Sequence, residues 1–312
     1  MNDELLRLYN AELAFLRRMG GEFAEAYPAV ASNLGLNAAG ETDPFVARMI
    51  ESFAFLSART RMRIEDDFPE ICGSMLEVLY PHYQRPIPST FILQCELPPE
   101  ESDAAPGHRV PRGKALRTEA VEDVPCQYRT CYDVDCWPIR IAEVRHEGQP
   151  LRSPQTKFSN QAAAGLCIRL AATGPKTALK DLPLDSLRFF IRAQPPFSYE
   201  LYENLFRRLI GVAVIDVHSA GGHELLRADA VRPVGFGEAE SLYPYPQRSF
   251  DGYRILSEYF AFPQKHLFFD VCFGDALRRR TAAEVELYFY FNHYRDSLDL
   301  QIRRDSLLLG CT

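Results

Sequence analysis

DPFVARMIESFAFLSARTRMRIEDDFPEICGSMLEVLYPHYQRPIPS, from Asp43 to Ser89, is the stretch whose reading decides the fold. Phe45, Met49, Phe53, Leu56 and Ile64 fall on one stripe of a 3.6-residue period, and Val46, Ile50 and Phe55 add a second. A helix that is apolar on two sides belongs in a core or at an interface. Upstream, Leu5, Tyr9, Leu13, Leu16, Phe23 and Tyr27 share one side of another helix. Together they offer more apolar surface than one small helical unit can hide. The reading is therefore that the Phe45, Met49, Phe53 and Leu56 stripe faces the intramolecular core, leaving Ile50 and Phe55 for a partner.

Local punctuation sets the helix bounds. The first helix spans about residues 2–26, with Asp3 and Glu4 at the positive end of its dipole, and Tyr27-Pro28 interrupts it. Thr42 or Asp43 caps a second helix with Pro44 in its first turn, where a missing N–H costs nothing. Asp67 and Pro69 repeat the pattern, so a third helix is expected to start there and to end at Tyr80, before Pro81. PHYQRPIPS holds three prolines and must be extended. This places a boundary between an N-terminal helical region, residues 1–85, and a second domain, residues 86–312.

Beyond the boundary the period changes to two. Thr90–Leu97, Val110–Leu116 with a turn at Arg112-Gly113, Tyr128–Arg145, Leu166–Ala171, Leu187–Ala193, Val212–His218, Leu267–Phe273 and Val285–Phe291 read as strands. A helix is expected in SYELYENLFRRLI, capped by Ser198 with Leu201, Tyr202, Leu205, Phe206 and Leu209 on one side, and another near Gly252–Phe260. Strands outnumber helices without regular alternation, so the fold class is α+β, a helical region followed by a β-rich mixed domain.

Composition narrows the function. A net charge of −7 argues against nucleic acid, which needs clustered positive charge. Residues 1–85 hold eight Arg and no Lys against thirteen Asp and Glu, a balance of −5. No apolar run approaches the roughly 20 residues of a membrane span, and Met-Asn-Asp-Glu is no secretion signal, so the expected location is cytoplasmic, without membrane insertion. The eight cysteines are scattered and read as free thiols.

Candidate chemistry is thin. Cys126, Cys131 and Cys136 recur at gaps of five, unlike the close pairs of structural zinc sites, and an odd step along a strand sends side chains to opposite faces. His218, His223 and Glu224 in HSAGGHE look like a hairpin turn rather than an H-E-x-x-H helix. These two groups define the alternative reading, a soluble metal-dependent hydrolase. His82 beside a helix end suits a bond to helix carbonyls. No nucleophile elbow, dinucleotide fingerprint or phosphate loop occurs, so no catalytic, cofactor or metal residue is assigned and no enzyme is expected.

Several phrases carry a family resemblance. YNAELAFLRRMGGEFAEAYPAVASNLGL, DPFVARMIESFAFLSAR and EDDFPEICGSMLEVLYPHY resemble the N-terminal part of TssF, also called VasA or ImpG, a baseplate subunit of the bacterial type VI secretion system. RTCYDVDCWPI, RPVGF, YPYPQRSFDGYRILSEYFAFPQKHLFF and LLLGCT follow in the family's order, from Arg129 to Thr312. The resemblance implies a structural wedge subunit with TssG as closest partner, a second TssF copy, TssE, the TssK adaptor and a central VgrG spike, forming the platform for sheath and tube polymerisation, at the cytoplasmic face of the inner membrane. Family members are longer, and LGCT lies near their middle, so the chain reads as an N-terminal portion with an incomplete second domain. The aromatic run after Tyr243 divides between core and interface, which adds Tyr243, Tyr245 and Tyr253 to Ile50 and Phe55 as candidate interface residues. Uncovered N-terminal helices and an abrupt apolar end at Leu307–Leu309 predict self-association of the isolated chain.

Overall fold

The computed structural model describes residues 3–36, 43–80, 83–98, 107–121, 123–174, 178–217, 222–245, 250–280 and 284–312. His82, His218 and Thr42, singled out above, lie outside them. The chain divides into two compact units, Met1–Pro86 and Ile87–Thr312.

In the first unit, α1 (Asp3–Ala26) and the short α2 (Pro28–Asn33) precede α3 (Pro44–Leu79). Asp43 caps α3 by accepting the Phe45 N–H at 2.8 Å, and Pro44 occupies the first turn. The expected break at Asp67 does not occur, because α3 is one helix of 36 residues with Pro69 inside it. The proline removes the bond its N–H would give Glu65, but residues 63–72 are all exposed, so water can solvate the freed carbonyl while helix on both sides continues.

The second unit opens with an extended segment around Leu93–Cys95. It pairs with the chain end through Leu93 N–H to Thr312 O at 2.9 Å and Cys95 N–H to Gly310 O at 2.8 Å. There follow β1 (His108–Val110), β2 (Ala115–Val121), β3 (Val124–Arg129), β4 (Val134–Cys136), β5 (Ile139–Gly148), β6 (Ala164–Ala172) and β7 (Ser186–Ile191). Then come α4 (Phe197–Glu203), β8 (Leu209–Asp216), β9 (His223–Arg227), β10 (Val231–Pro233), α5 (Asp251–Ala261), β11 (Phe268–Cys272), β12 (Glu284–Phe291), α6 (Ser297–Gln301) and β13 (Leu307–Leu309). Helices first and antiparallel sheets after make the fold α+β, as the sequence indicates.

A five-stranded sheet, β5-β6-β12-β8-β9, and a four-stranded sheet, β10-β11-β7-β13, enclose the core. Strand period two shows plainly on β12: Val285, Leu287, Phe289 and Phe291 enter the main core, whereas Tyr288 and Tyr290 enter a second cluster with Cys167 and Ala213. Phe269 meets Phe289 edge to face at 6.4 Å, joining the two sheets.

Three expectations need correction. Ser198 does not cap α4: the helix starts earlier, behind Pro196, and Ser198 is fully buried in the first turn. Nor does Leu209 belong to that helix, since a π-turn at Asn204–Arg208 ends it and Leu209 begins β8. The apolar end is also covered, because Leu307–Leu309 pair with β7 and Leu307 is 1% exposed. Gly310 makes that end possible, with φ +68° and its Cα against the Cys95 carbonyl, where a Cβ would clash.

Candidate functional site

Within the first unit α1 packs on a stripe of small residues. Ala54 and Ala58 are fully buried, Leu8 and Ala24 are buried on α1, and Ile50 is half-buried. Alanines let two helices approach closely but hide little area. Phe55 lies edge-on to Tyr9 at 6.5 Å and keeps 40% of its surface. Arg61 bonds Glu12 at 3.3 Å and Glu65 at 3.1 Å, both in solvent. The expectation that Phe45, Met49, Phe53 and Leu56 face the core is thus overturned. Phe45 is 83% exposed, and Met49, Phe53, Leu56 and Ile64 are exposed with it, because the shorter side chains of the other face allow the tighter contact.

A second consequence of the unbroken helix is a seam past Arg61. Ile64, Phe68, Ile71, Met75 and Val78 recur at alternating steps of four and three, the 3.5-residue repeat that lines one side of a helix meeting another helix. All five are exposed, and from Arg63 to Leu79 only Gly73 is half-buried. Glu65, Asp66, Asp67, Glu70 and Glu77 border the seam, with no Lys or Arg between residues 64 and 79. The repeat is visible in the sequence, but reading Pro69 as a helix start cuts it in two.

In the second unit α5 is turned inside out. Its charged residues are buried, Arg254 at 2% and Glu258 at 0% exposure, while Phe250, Tyr253, Leu256 and Phe260 are exposed. Glu258 accepts the Leu242 N–H at 2.7 Å and pairs with the buried Lys265 ammonium, which also donates to the Gly235 carbonyl at 3.0 Å. Arg254 donates to the Phe236 carbonyl at 2.9 Å. Burial pushes the Lys265 pKa down, against the pull of Glu258, and it pushes His266 down to about 4, with the Lys265 charge adding to the effect. Buried charges are tolerated here because backbone carbonyls and a counter-charge satisfy them. Their fixed direction leaves the aromatic side facing out.

The structure places Ile50 and Phe55 on α3 of the first unit. Tyr243 and Tyr245 are half-buried just before α5, and Tyr253 lies on α5 beside Phe250 at 5.6 Å. Burial raises the Tyr243 pKa. Within the aromatic run Phe268 and Phe269 are fully buried, whereas Phe260 is 81% exposed. The described residues of the hydrolase reading have other surroundings. Glu224 pairs with Arg279 at 3.3 Å and Arg280 at 3.6 Å, and Cys126 is exposed on β3 while Cys136 is buried on β4. Among the described residues no three His, Cys, Asp or Glu are grouped to hold a metal, and no helix is long and apolar enough to cross a membrane.

The family model for the type VI secretion system protein TssF matches residues 1–312. The type VI secretion system component TssF1 of Pseudomonas aeruginosa is 34% identical over 317 residues, covering 100% of this chain and 51% of the relative. Among solved structures, a chain of the TssK-TssF-TssG baseplate subcomplex, determined by cryo-electron microscopy, superposes with a TM-score of 0.66 at 26% identity, over 85% of this chain and 48% of that one. The chain therefore spans about half the length of the curated relative it matches. It belongs to the TssF family of type VI secretion baseplate components, a structural family and not an enzyme family.

Proposed function

We propose that this member of the TssF family is a structural subunit of the baseplate wedge, joined to its neighbours through the uncovered seam of α3, with TssG as the nearest partner. The seam carries the reading: five large apolar side chains, Ile64 to Val78, repeat at helix-pairing intervals and are all exposed. Burying a side chain of this kind contributes about 1.5–3 kcal/mol, which a lone helix forgoes and a partner helix recovers. A solved relative comes from an assembly of TssK, TssF and TssG, which supports the choice of partner.

The flanking charges add direction. Five carboxylates along residues 64–79 would face five more if two copies of this segment paired in register, whereas a helix with basic flanks is attracted. A second TssF copy would then join through other surfaces, Ile50 and Phe55 or the outward side of α5 with Tyr253 and the half-buried Tyr243 and Tyr245 that precede it. TssE, TssK and the VgrG spike complete the assembly, which serves as the platform for sheath and tube growth at the cytoplasmic face of the inner membrane. Co-expression with TssG from the same operon tests this. A complex of defined stoichiometry that survives gel filtration is the expected result, and separate elution of the two proteins would refute it.

A further inference from the structure

Cys95 and Cys136 line one groove in the second unit, a space of ≈ 650 Å³ that also meets Trp137, Arg140, Arg304 and Leu308. Cys95 lies on the extended segment that pairs with the chain end, and Cys136 closes β4, opposite His108 of β1. The Cys136 thiol donates to the Cys95 carbonyl oxygen at 3.8 Å. Cys136 is 6% exposed, whereas Cys95 is half-buried, so an oxidant in the groove reaches Cys95 first.

We propose that Cys95 and Cys136 form a peroxide-responsive thiol pair, whose disulfide staples the entry segment of the second unit to β4. The Cys95 thiolate attacks one oxygen of hydrogen peroxide. The O–O bond breaks, Cys95 becomes a sulfenic acid, and the departing hydroxide takes a proton to become water. The Cys136 thiolate then attacks the Cys95 sulfur, the S–O bond breaks, and a second water leaves. Two thiols and one peroxide give one disulfide and two waters, with two electrons passing from sulfur to peroxide.

The roles follow from the surroundings. Burial raises the pKa of both thiols, to about 11 for Cys136, but the neighbouring Cys136 thiol opposes that rise at Cys95. Cys95 is accordingly the attacking group and Cys136 the resolving one. Cys311 is the third thiol nearby, but it stands opposite Gln94 in the antiparallel bridge, and residues so paired share a face. Cys95, the next residue, points to the other side. The remaining thiols serve as internal controls: Cys72 and Cys126 are exposed and Cys167 is fully buried.

Peptide mapping by mass spectrometry under non-reducing conditions, after the folded 312-residue protein meets increasing hydrogen peroxide, tests the pair. The expected result is a linked peptide joining Cys95 and Cys136 as the first product, lost on return to reductant and absent from Cys95→Ser and Cys136→Ser. Cys95→Ser should leave Cys136 alkylatable at doses that convert the parent. Oxidation of Cys126 or Cys72 with Cys95 and Cys136 still alkylatable would overturn the proposal, as would a Cys95–Cys311 link. The parent map decides the matter even if a variant misfolds.

Discussion

α3 and β12 are both rich in large apolar side chains, and they dispose of them in opposite ways. On β12 every residue from Leu287 to Phe291 is fully buried, whereas on α3 only Ala54 and Ala58 are buried and Phe45 keeps 83% of its surface. β12 lies between β6 and β8 in a sheet whose two faces are both covered, so its alternation hides either side. α3 has one intramolecular helix to pack on and more than one apolar side. The difference teaches that apolar content alone does not place a residue inside. The number of neighbours an element can reach decides, and the remainder stays exposed.

The largest effect that could break this contrast is a truncation on each element. Phe289→Ala removes a fully buried ring from the sheet core and is expected to cost about 3–5 kcal/mol in denaturant unfolding. Phe68→Ala, on a residue 65% exposed, should change stability of the isolated chain by less than about 0.5 kcal/mol. Equal losses at the two sites would mean that the α3 seam is covered within the chain itself.

A second test uses the buried charges of α5. Glu258→Gln leaves the buried Lys265 ammonium without its counter-charge and should destabilise the second unit by about 3–5 kcal/mol. A neutral effect would show that the inverted orientation of α5 does not depend on its ionic interior. The same region gives a pH dependence. His266 titrates at about 4 when folded and at 6.5 when unfolded, so its contribution is fully present above 6.5 and is lost as pH falls toward 4. The unfolded chain binds the proton more tightly in that window, and the loss amounts to up to about 3 kcal/mol. Unfolding midpoints followed from pH 7 to 4 should flatten in His266→Gln relative to the parent.

A smaller effect is expected at Pro69. Pro69→Ala restores a missing N–H in an exposed helix and should stabilise the first unit by about 1–3 kcal/mol. A loss instead would show that the helix needs its proline for shape.

The sequence makes much of this contrast legible. Strands alternate in a period that the β12 residues display openly, and Asp43-Pro44 marks the start of α3. What it leaves unread has identifiable causes. Pro69 carries the same local chemistry as Pro44, and nothing local tells a helix start from an exposed interior position that water can satisfy. The stripe that meets α1 is chosen by steric closeness, which favours Ala54 and Ala58 over the bulkier Phe53 and Leu56, against the usual rule that large residues go inside. Arg254 and Glu258 look solvent-facing until Lys265 and the carbonyls of Gly235 and Phe236, distant in sequence, are brought beside them. The recurring phrases from Tyr9 to Thr312 make the family legible, but they say nothing of which face of α3 is left open.

Binding to TssG tests the outward role of α3 most directly. Titration of TssG with the parent and with a Phe68→Asp, Met75→Asp double variant, each checked for fold by circular dichroism, puts two carboxylates into the seam without touching the α1 contact. The expected result is an unchanged spectrum with affinity reduced by at least about 100-fold. A folded double variant that binds TssG as tightly as the parent would contradict it.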